Sequence, residues 1–166
     1  MVTDIVLRRL GAADAAAYRA LRLAGLAESP EAFGSDVATE AAAPVETFAE
    51  RLATVYVAGA FAGGQLVAVA GFRPLEREKT RHRGDLWGVY VAPEARGAGL
   101  GRRVVEYALA HARTRVEQVH LAVTAGNAAA VALYEHLGFV RYGTEPHALR
   151  VNGRDFDEHL MVLRFP

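Results

Sequence analysis

Arg96, Gly97, Ala98, Gly99, Leu100 and Gly101 stand where strand-forming residues give way to a helix, in the stretch VYVAPEARGAGLGRRVVEYALAHA. Glycine admits a ligand close to the backbone and reaches conformations in which successive N–H groups converge. The first N–H groups of a helix have no internal partner and carry the positive end of its dipole. Together these features suit phosphate oxygens, with Arg96, and with Arg102 or Arg103, as charged support. A tight strand-to-helix turn without any ligand has the same outline. Two other phosphate motifs fit worse. A P-loop ends in Lys followed by Ser or Thr, where this chain has Arg102 and Arg103. A dinucleotide fingerprint places an acid at the next strand tip, and Gln118 to Val123 offers none.

Several other chemistries are excluded by residue type. There is no cysteine, which removes disulfides, thiolate metal sites and a cysteine nucleophile. Ser29 and Ser35 are the only serines, and neither sits in a nucleophile elbow. His82, His111, His120, His136, His147 and His159 show no paired ligand spacing, so no metal site is expected.

The turn has to be positioned by the elements around it. Ile5 to Arg8 reads as a strand, and Asp14 as the cap of a helix reaching about Leu26. A loop follows, Ala27 to Asp36, and Pro44 opens a second helix containing Val45, Phe48 and Leu52. A hairpin covers Val55 to Phe61 and Leu66 to Arg73, and a charged connection leads to a strand over Asp85 to Val91. The helix from Gly99 to about Thr114 buries Val104, Val105, Ala108, Leu109 and Ala112 on one face. Val119 to Ala125 is a strand, and the next helix opens on Asn127 and closes at Gly138. Strands near Val140 to Tyr142 and Phe156 to Leu163 flank a polar loop. The order is mixed α/β in one layered domain, residues 1–166, with no repeat or linker.

In this setting VYVAPEARGAGLG resembles the acyl-CoA signature of the GCN5-related N-acetyltransferases, Arg/Gln-x-x-Gly-x-Gly/Ala, matched by Arg96, Gly99 and Gly101. NAAAVALYEHLGF is similar to the family's next motif, and NGRDFDEHLMVLRF to its closing strand. The resemblance spans essentially the whole chain in the right order. It implies a mostly antiparallel sheet splayed at its centre, flanked by about four helices. Acetyl-CoA would lie in the opening, its pantetheine along Val89, Tyr90 and Val91 and its diphosphate on the N–H groups of Arg96 to Gly101. Arg102, Asn127, Ala130 and Tyr134 complete the implied cofactor site.

The resemblance also implies a reaction, transfer of an acetyl group to a primary amine of a small molecule or peptide. Tyr134 would be the general acid. It lies seven residues beyond Asn127, two helical turns, so both can face one cleft. A core tyrosine packed with Val131 and Leu137 has the same spacing. Asp85 lies eleven residues before Arg96, the strand position of the glutamate base in the histone-acetyltransferase branch, but is one methylene shorter, which calls for a bridging water. Glu28, His82 and His120 are further base candidates, and ordered water alone is another. The N–H of Val91 or Tyr90 would stabilise the oxyanion. The acceptor would enter between the Ala27–Asp36 loop and the last two strands, where Glu28, Glu31, Asp36, Glu145 and Asp155 could draw a cationic amine and Phe33 could wall the pocket. Arg22 and Arg150 would instead favour a carboxylate on the acceptor. A non-catalytic acyl-CoA-binding module and a protein N-terminal or lysine acetyltransferase are the alternatives.

Bulk properties agree. The chain has 166 residues and 52% hydrophobic content, enough for a core, and its 19 basic residues balance 19 acidic ones. That balance argues against bulk nucleic-acid or anionic-membrane binding. Val55 to Phe72 is uncharged for 18 residues, yet Gly63, Gly64 and Gln65 split it, so a hairpin is expected rather than a membrane span. The opening MVTDIVLRRL has an acid at Asp4 and no long apolar core, so a secretion signal is not expected and a cytoplasmic setting is. A homodimer is compatible with all of this.

Overall fold

The computed structural model describes residues 4–166; the first three, part of the stretch read for a leader, lie outside the described residues. One seven-stranded sheet runs through the molecule. Its strands are β1 (Ile5–Arg9), β2 (Tyr56–Ala62), β3 (Gln65–Pro74), β4 (Arg83–Val91), β5 (Gln118–Thr124), β6 (Val140–Val151) and β7 (Arg154–Arg164). The order across the sheet is β1-β2-β3-β4-β5-β7-β6. The helices are α1 (Ala15–Glu28), α2 (Val37–Ala42), α3 (Val45–Thr54), α4 (Leu100–Ala112) and α5 (Ala128–His136).

Every neighbouring pair is antiparallel except β4 and β5, which are parallel and share only Arg83–Gln118, Gly84–Val119 and Asp85–His120. Beyond Asp85 the two strands part. Gly88, at φ 61, sits at the irregularity in the β3–β4 register, and only a residue without Cβ adopts that backbone without strain. The uncharged run is the β2–β3 hairpin, turned by Gly63 and Gly64 at φ 55 and 84. No helix among the described residues is long and apolar enough to cross a membrane.

The sheet has two covered faces. Val104, Val105, Ala108, Leu109 and Ala112 of α4 are all buried, as their spacing requires. On the other face Tyr18 of α1 meets Phe48 of α3 edge to face, with centroids 6.1 Å apart. Neighbouring residues of β4 show the two faces directly. The Tyr90 ring fills the space beside Gly25 of α1, whereas Val91 lies beside Gly101 of α4.

Three local expectations are corrected. Asp14 stands at the N-cap position of α1, as expected, but makes no side-chain bond to that helix; its carboxylate accepts from the Gly11 N–H at 2.8 Å and pairs with Arg8, closing a 3₁₀ turn ahead of the helix. A fifth helix, α2, lies beyond the expected loop, capped by Asp36 accepting from the Thr39 N–H at 2.8 Å. The expected polar loop between the last strands is instead a long hairpin that turns at Asn152 and Gly153, both at positive φ.

Candidate active site

Where β4 and β5 part, a cleft of about 420 Å³ opens. Trp87, Gly88, Val89, Tyr90 and Val91 form one wall, and Leu121 to Thr124 the other. Asn127, Ala130, Leu133 and Tyr134 of the α5 segment close it, with Arg96, Gly101 and Phe33 at its rim. The structure thus brings together Val89, Tyr90, Val91, Arg96, Gly101, Asn127, Ala130, Tyr134 and Phe33. A wider hollow of about 710 Å³ lies along α1 and the β2–β3 turn, but its Arg8 and Asp14 satisfy each other and leave no convergent chemistry there.

The glycine turn is a bare donor surface. Gly97 and Gly99 have φ 83 and 72, and a Cβ at either would meet nothing within 4 Å. Gly99 is the residue before α4, and no side chain caps that helix. The Arg96 N–H is already taken by the Pro93 carbonyl at 3.3 Å, and the Arg103 N–H by the Gly99 carbonyl at 3.1 Å. The donor set therefore runs from Gly97 to Arg102, one residue later than expected at its start. An anionic diphosphate fits this surface.

The charged support is engaged elsewhere. Arg96 grips Glu28 through both terminal nitrogens at 2.8 Å, and its Nε donates to the Val91 carbonyl at 3.1 Å. Arg102 pairs with Glu106 at 2.8 Å and lies 3.1 Å from His136 Nε2. Glu28 also accepts from the Tyr90 hydroxyl at 2.5 Å. Arg96, and then Tyr90, hold the Glu28 carboxyl below its usual range. Burial, and then the Glu28 carboxylate, push the Tyr90 phenol up to about 12. Glu28 is thus a strut between α1 and the glycine turn, its carboxylate committed to Arg96 and Tyr90.

The backbone of β4 separates the two oxyanion candidates. The Ala92 N–H donates to the Val67 carbonyl of β3 at 2.8 Å. Strand alternation then turns the amide of Tyr90 toward β3 and that of Val91 toward the opening. The Arg96 Nε bond to the Val91 carbonyl agrees with that orientation.

Tyr134 is buried, its ring edge-on to Phe139 at 5.7 Å. Burial alone pushes its phenol well above the ordinary tyrosine value. Asn127 spends its side-chain oxygen on the Ala130 N–H at 3.2 Å, fixing the start of α5. Gly138, at φ 95, ends that helix segment as expected.

Asp85 lies outside the cleft lining. It is two residues down β4 from Trp87, on the same face, about 7 Å along the strand. Its carboxylate is 3.5 Å from Arg73 Nη2. The His120 imidazole is held below its usual range by burial and then by Arg83. Its Nδ1 lies 3.3 Å from the Tyr142 hydroxyl and its Nε2 3.1 Å from Gln118 Oε1, so both ring nitrogens are engaged. His82 stands at the foot of β4, its carbonyl accepting from Glu117 at 2.9 Å. Asp155 and Arg150 neutralise each other on the last hairpin. No cluster of three or more metal-ligating side chains is present among the described residues.

Trp87 and Gly88 line the cleft and were not foreseen. Both carry a signal in the sequence: Trp87 is the single tryptophan, and a glycine inside a strand marks a bulge or a close approach.

A splayed sheet with a bare amide turn near one mouth and a buried phenol inside can hold an extended ligand that ends in a phosphate group. The chain belongs to the acetyltransferase (GNAT) family, whose profile matches residues 26–139. It is 52% identical over 60 residues to a mycothiol acetyltransferase of Thermobispora bispora, covering 36% of this chain and 20% of that one. It is 39% identical over 97 residues to the N-alpha-acetyltransferase RimI of Mycobacterium tuberculosis, covering 58% of this chain and 60% of the relative. The chain therefore spans about a fifth and about three fifths of the length of these two relatives. Over 96% of this chain and 99% of the other, it superposes on a ribosomal-protein-alanine N-acetyltransferase from Brucella melitensis with a TM-score of 0.85 and 28% identity.

Proposed function

We propose that the protein transfers an acetyl group from acetyl-CoA to a primary amine by direct attack. The observation that carries this reading is a run of amides, Gly97 to Arg102, without backbone partners, next to a cleft that Gly101 and the buried phenol of Tyr134 both line. When bound, acetyl-CoA supplies an activated acetyl group: the amine nitrogen bonds to the acetyl carbon, the carbon–sulfur bond breaks, one proton leaves the nitrogen and one reaches the sulfur.

The chain's own residues meet the requirements of that exchange. The amides of the glycine turn hold the diphosphate. The upper part of β4, unpaired on its β5 side, offers its backbone to an extended pantetheine arm, as an added strand would use it. The Val91 N–H stands where negative charge develops on the acyl oxygen. Tyr134 holds its proton throughout the neutral range because its surroundings are dry. That dryness makes it a reluctant donor in isolation, but sulfur leaving into the same cleft is equally deprived of water and is a correspondingly stronger base. Asp85 accepts the amine proton through a water, since its carboxylate stands back from the cleft. Acetyl-CoA is an intracellular metabolite, and a cytoplasmic setting goes with this reading.

Likeness to the family, and to relatives named as N-acetyltransferases, supports nitrogen as the acceptor atom. The test is thiol release from acetyl-CoA over a panel of amino acids, polyamines and peptides. Amine-dependent release identifies a transferase; tight CoA binding with no release on any amine identifies a binding module instead.

A further inference from the structure

Arg22 of α1 lies on the sheet face opposite the glycine turn, and it is more than nine-tenths buried, with 7% of its surface exposed. Its Nε and Nη2 both donate to Oε1 of Glu40, at 3.1 and 2.9 Å, and Nη2 lies 3.4 Å from the Ser35 hydroxyl. Glu40, itself buried, gives its other oxygen to Arg51 at 3.2 Å. Two guanidinium groups thus share one carboxylate, which leaves one positive charge over. Arg51 reaches solvent, with a quarter of its side chain exposed, whereas Arg22 is almost wholly buried. Arg22 Nη1 has no hydrogen-bond partner among the described residues, and unlike the rest of the side chain it keeps contact with solvent. A charged donor presented in this way can make a charge-assisted hydrogen bond to an anionic ligand.

The surroundings of Nη1 show where that ligand would stand. The guanidinium carbon lies 5.5 Å from the Trp87 ring and 5.8 Å from the Phe33 ring, and both rings line the cleft. A Cβ built on Gly88 would come within 3.2 Å of Nη1, so the missing side chain at the β4 irregularity leaves a window between the cleft and the guanidinium. At the same wall Trp87 Nε1 is buried and also has no partner. That nitrogen is shut off from solvent, so of the two donors Arg22 Nη1 is the one a ligand in the cleft can reach.

We propose that the acceptor is an amine that also bears a carboxylate, with the carboxylate received at the Gly88 window by Arg22 Nη1. One end of a zwitterionic, amino-acid-like molecule is thereby fixed so that its nitrogen turns toward the opening between β4 and β5. This rests on the transferase reading, and it deepens it by naming the substrate class. Polyamines and other amines without an anionic group would leave Arg22 Nη1 with no anionic partner.

The experiment presents CoA-loaded wild-type protein with proteinogenic α-amino acids, each beside its decarboxylated amine and its carboxamide. Thermal shift is read alongside thiol release with acetyl-CoA. The expected result is a kcat/KM about tenfold or more higher for the carboxylate form of the preferred scaffold, and a larger thermal shift. Gly88→Ala, whose Cβ would stand 3.2 Å from Nη1 and close the window without removing the Arg22–Glu40 pair, and Arg22→Lys are expected to raise KM for that form with less effect on kcat, and to narrow its advantage over the amide. A carboxylate form that shifts the melt but is never acetylated would sustain this site and refute the transferase reading. Equal turnover and equal shift across all three forms, or an unchanged KM in both variants, would overturn the proposal and leave the transferase reading standing.

Discussion

Replacing Gly97 with alanine separates the proposed cofactor role of the turn from its backbone geometry, because the hairpin between β2 and β3 provides a matched control. Gly97 and Gly64 have φ 83 and 84, and a Cβ at either position would meet nothing within 4 Å. Each alanine variant therefore incurs the same left-handed strain, about 1 kcal/mol, and in a chain of this size each should lower the melting temperature by roughly 2–4 °C. Only Gly97 lies in the donor surface at the start of α4. Its methyl group would occupy open space that a diphosphate needs, and relaxing the backbone strain would turn an amide away. One charge-assisted hydrogen bond is worth about 1.5–3 kcal/mol, so CoA affinity should fall by roughly tenfold to a hundredfold. Calorimetric titration with CoA, paired with thermal melts, reads both quantities. Gly64→Ala should match the loss of stability and bind CoA as the wild type does. An undiminished affinity in Gly97→Ala, or the same affinity loss in Gly64→Ala, would refute the reasoning about the turn.

Other outcomes follow from particular groups. Tyr134→Phe should lower kcat about a hundredfold while CoA affinity stays near wild type in titration; an unchanged rate would reject the acid role. Phe48, fully buried between α3 and Tyr18, should cost about 3–5 kcal/mol when cut to alanine, read as a urea midpoint shift. The Asp155 carboxyl is held at about 2 by Arg150 and then His147, against an ordinary value of 3.8. A depressed folded value stabilises the protein above the ordinary value, and the contribution is lost as pH falls toward 2. The difference in melting temperature between wild type and Asp155→Asn should accordingly be full near about pH 5 and vanish near about pH 2; a difference independent of pH would contradict the pairing.

Much of the molecule was legible in its sequence, for reasons that differ by element. The face of α4 follows from apolar residues at helical spacing, and all five named residues are buried. The Gly63–Gly64 break identified the hairpin because only glycine adopts those two conformations freely. The last hairpin was less visible. Its first strand, β6, is largely exposed and its second, β7, mostly half-buried, with no regular alternation in either to mark a strand. The Asn152–Gly153 pair did carry the turn signal. Helix α2 has only six residues, too few for periodicity to speak, and it is held by Glu40 reaching Arg22 across a gap of 18 residues.

The site divided in the same way. The bare backbone of Gly97 and Gly99 could be read locally, because their positive φ and open surroundings depend on the turn itself. The engagement of Arg96 by Glu28, 68 residues away in the chain, could not, since nothing local brings α1 to that turn. Asp85 matched by spacing, yet its level in the sheet is set by where β4 and β5 cease to pair. That point depends on both strands and on Gly88. Arg22 and Trp87 meet only through the packing of α1 on β4.

The most direct test of the central claim is a crystal structure of the protein with acetyl-CoA bound. The expected result places the diphosphate on the amides of Gly97 to Arg102 and the thioester in the gap between β4 and β5, its sulfur within hydrogen-bonding reach of the Tyr134 hydroxyl. A cofactor seated elsewhere, or a sulfur atom remote from that hydroxyl with the turn amides bonded within the protein, would contradict it.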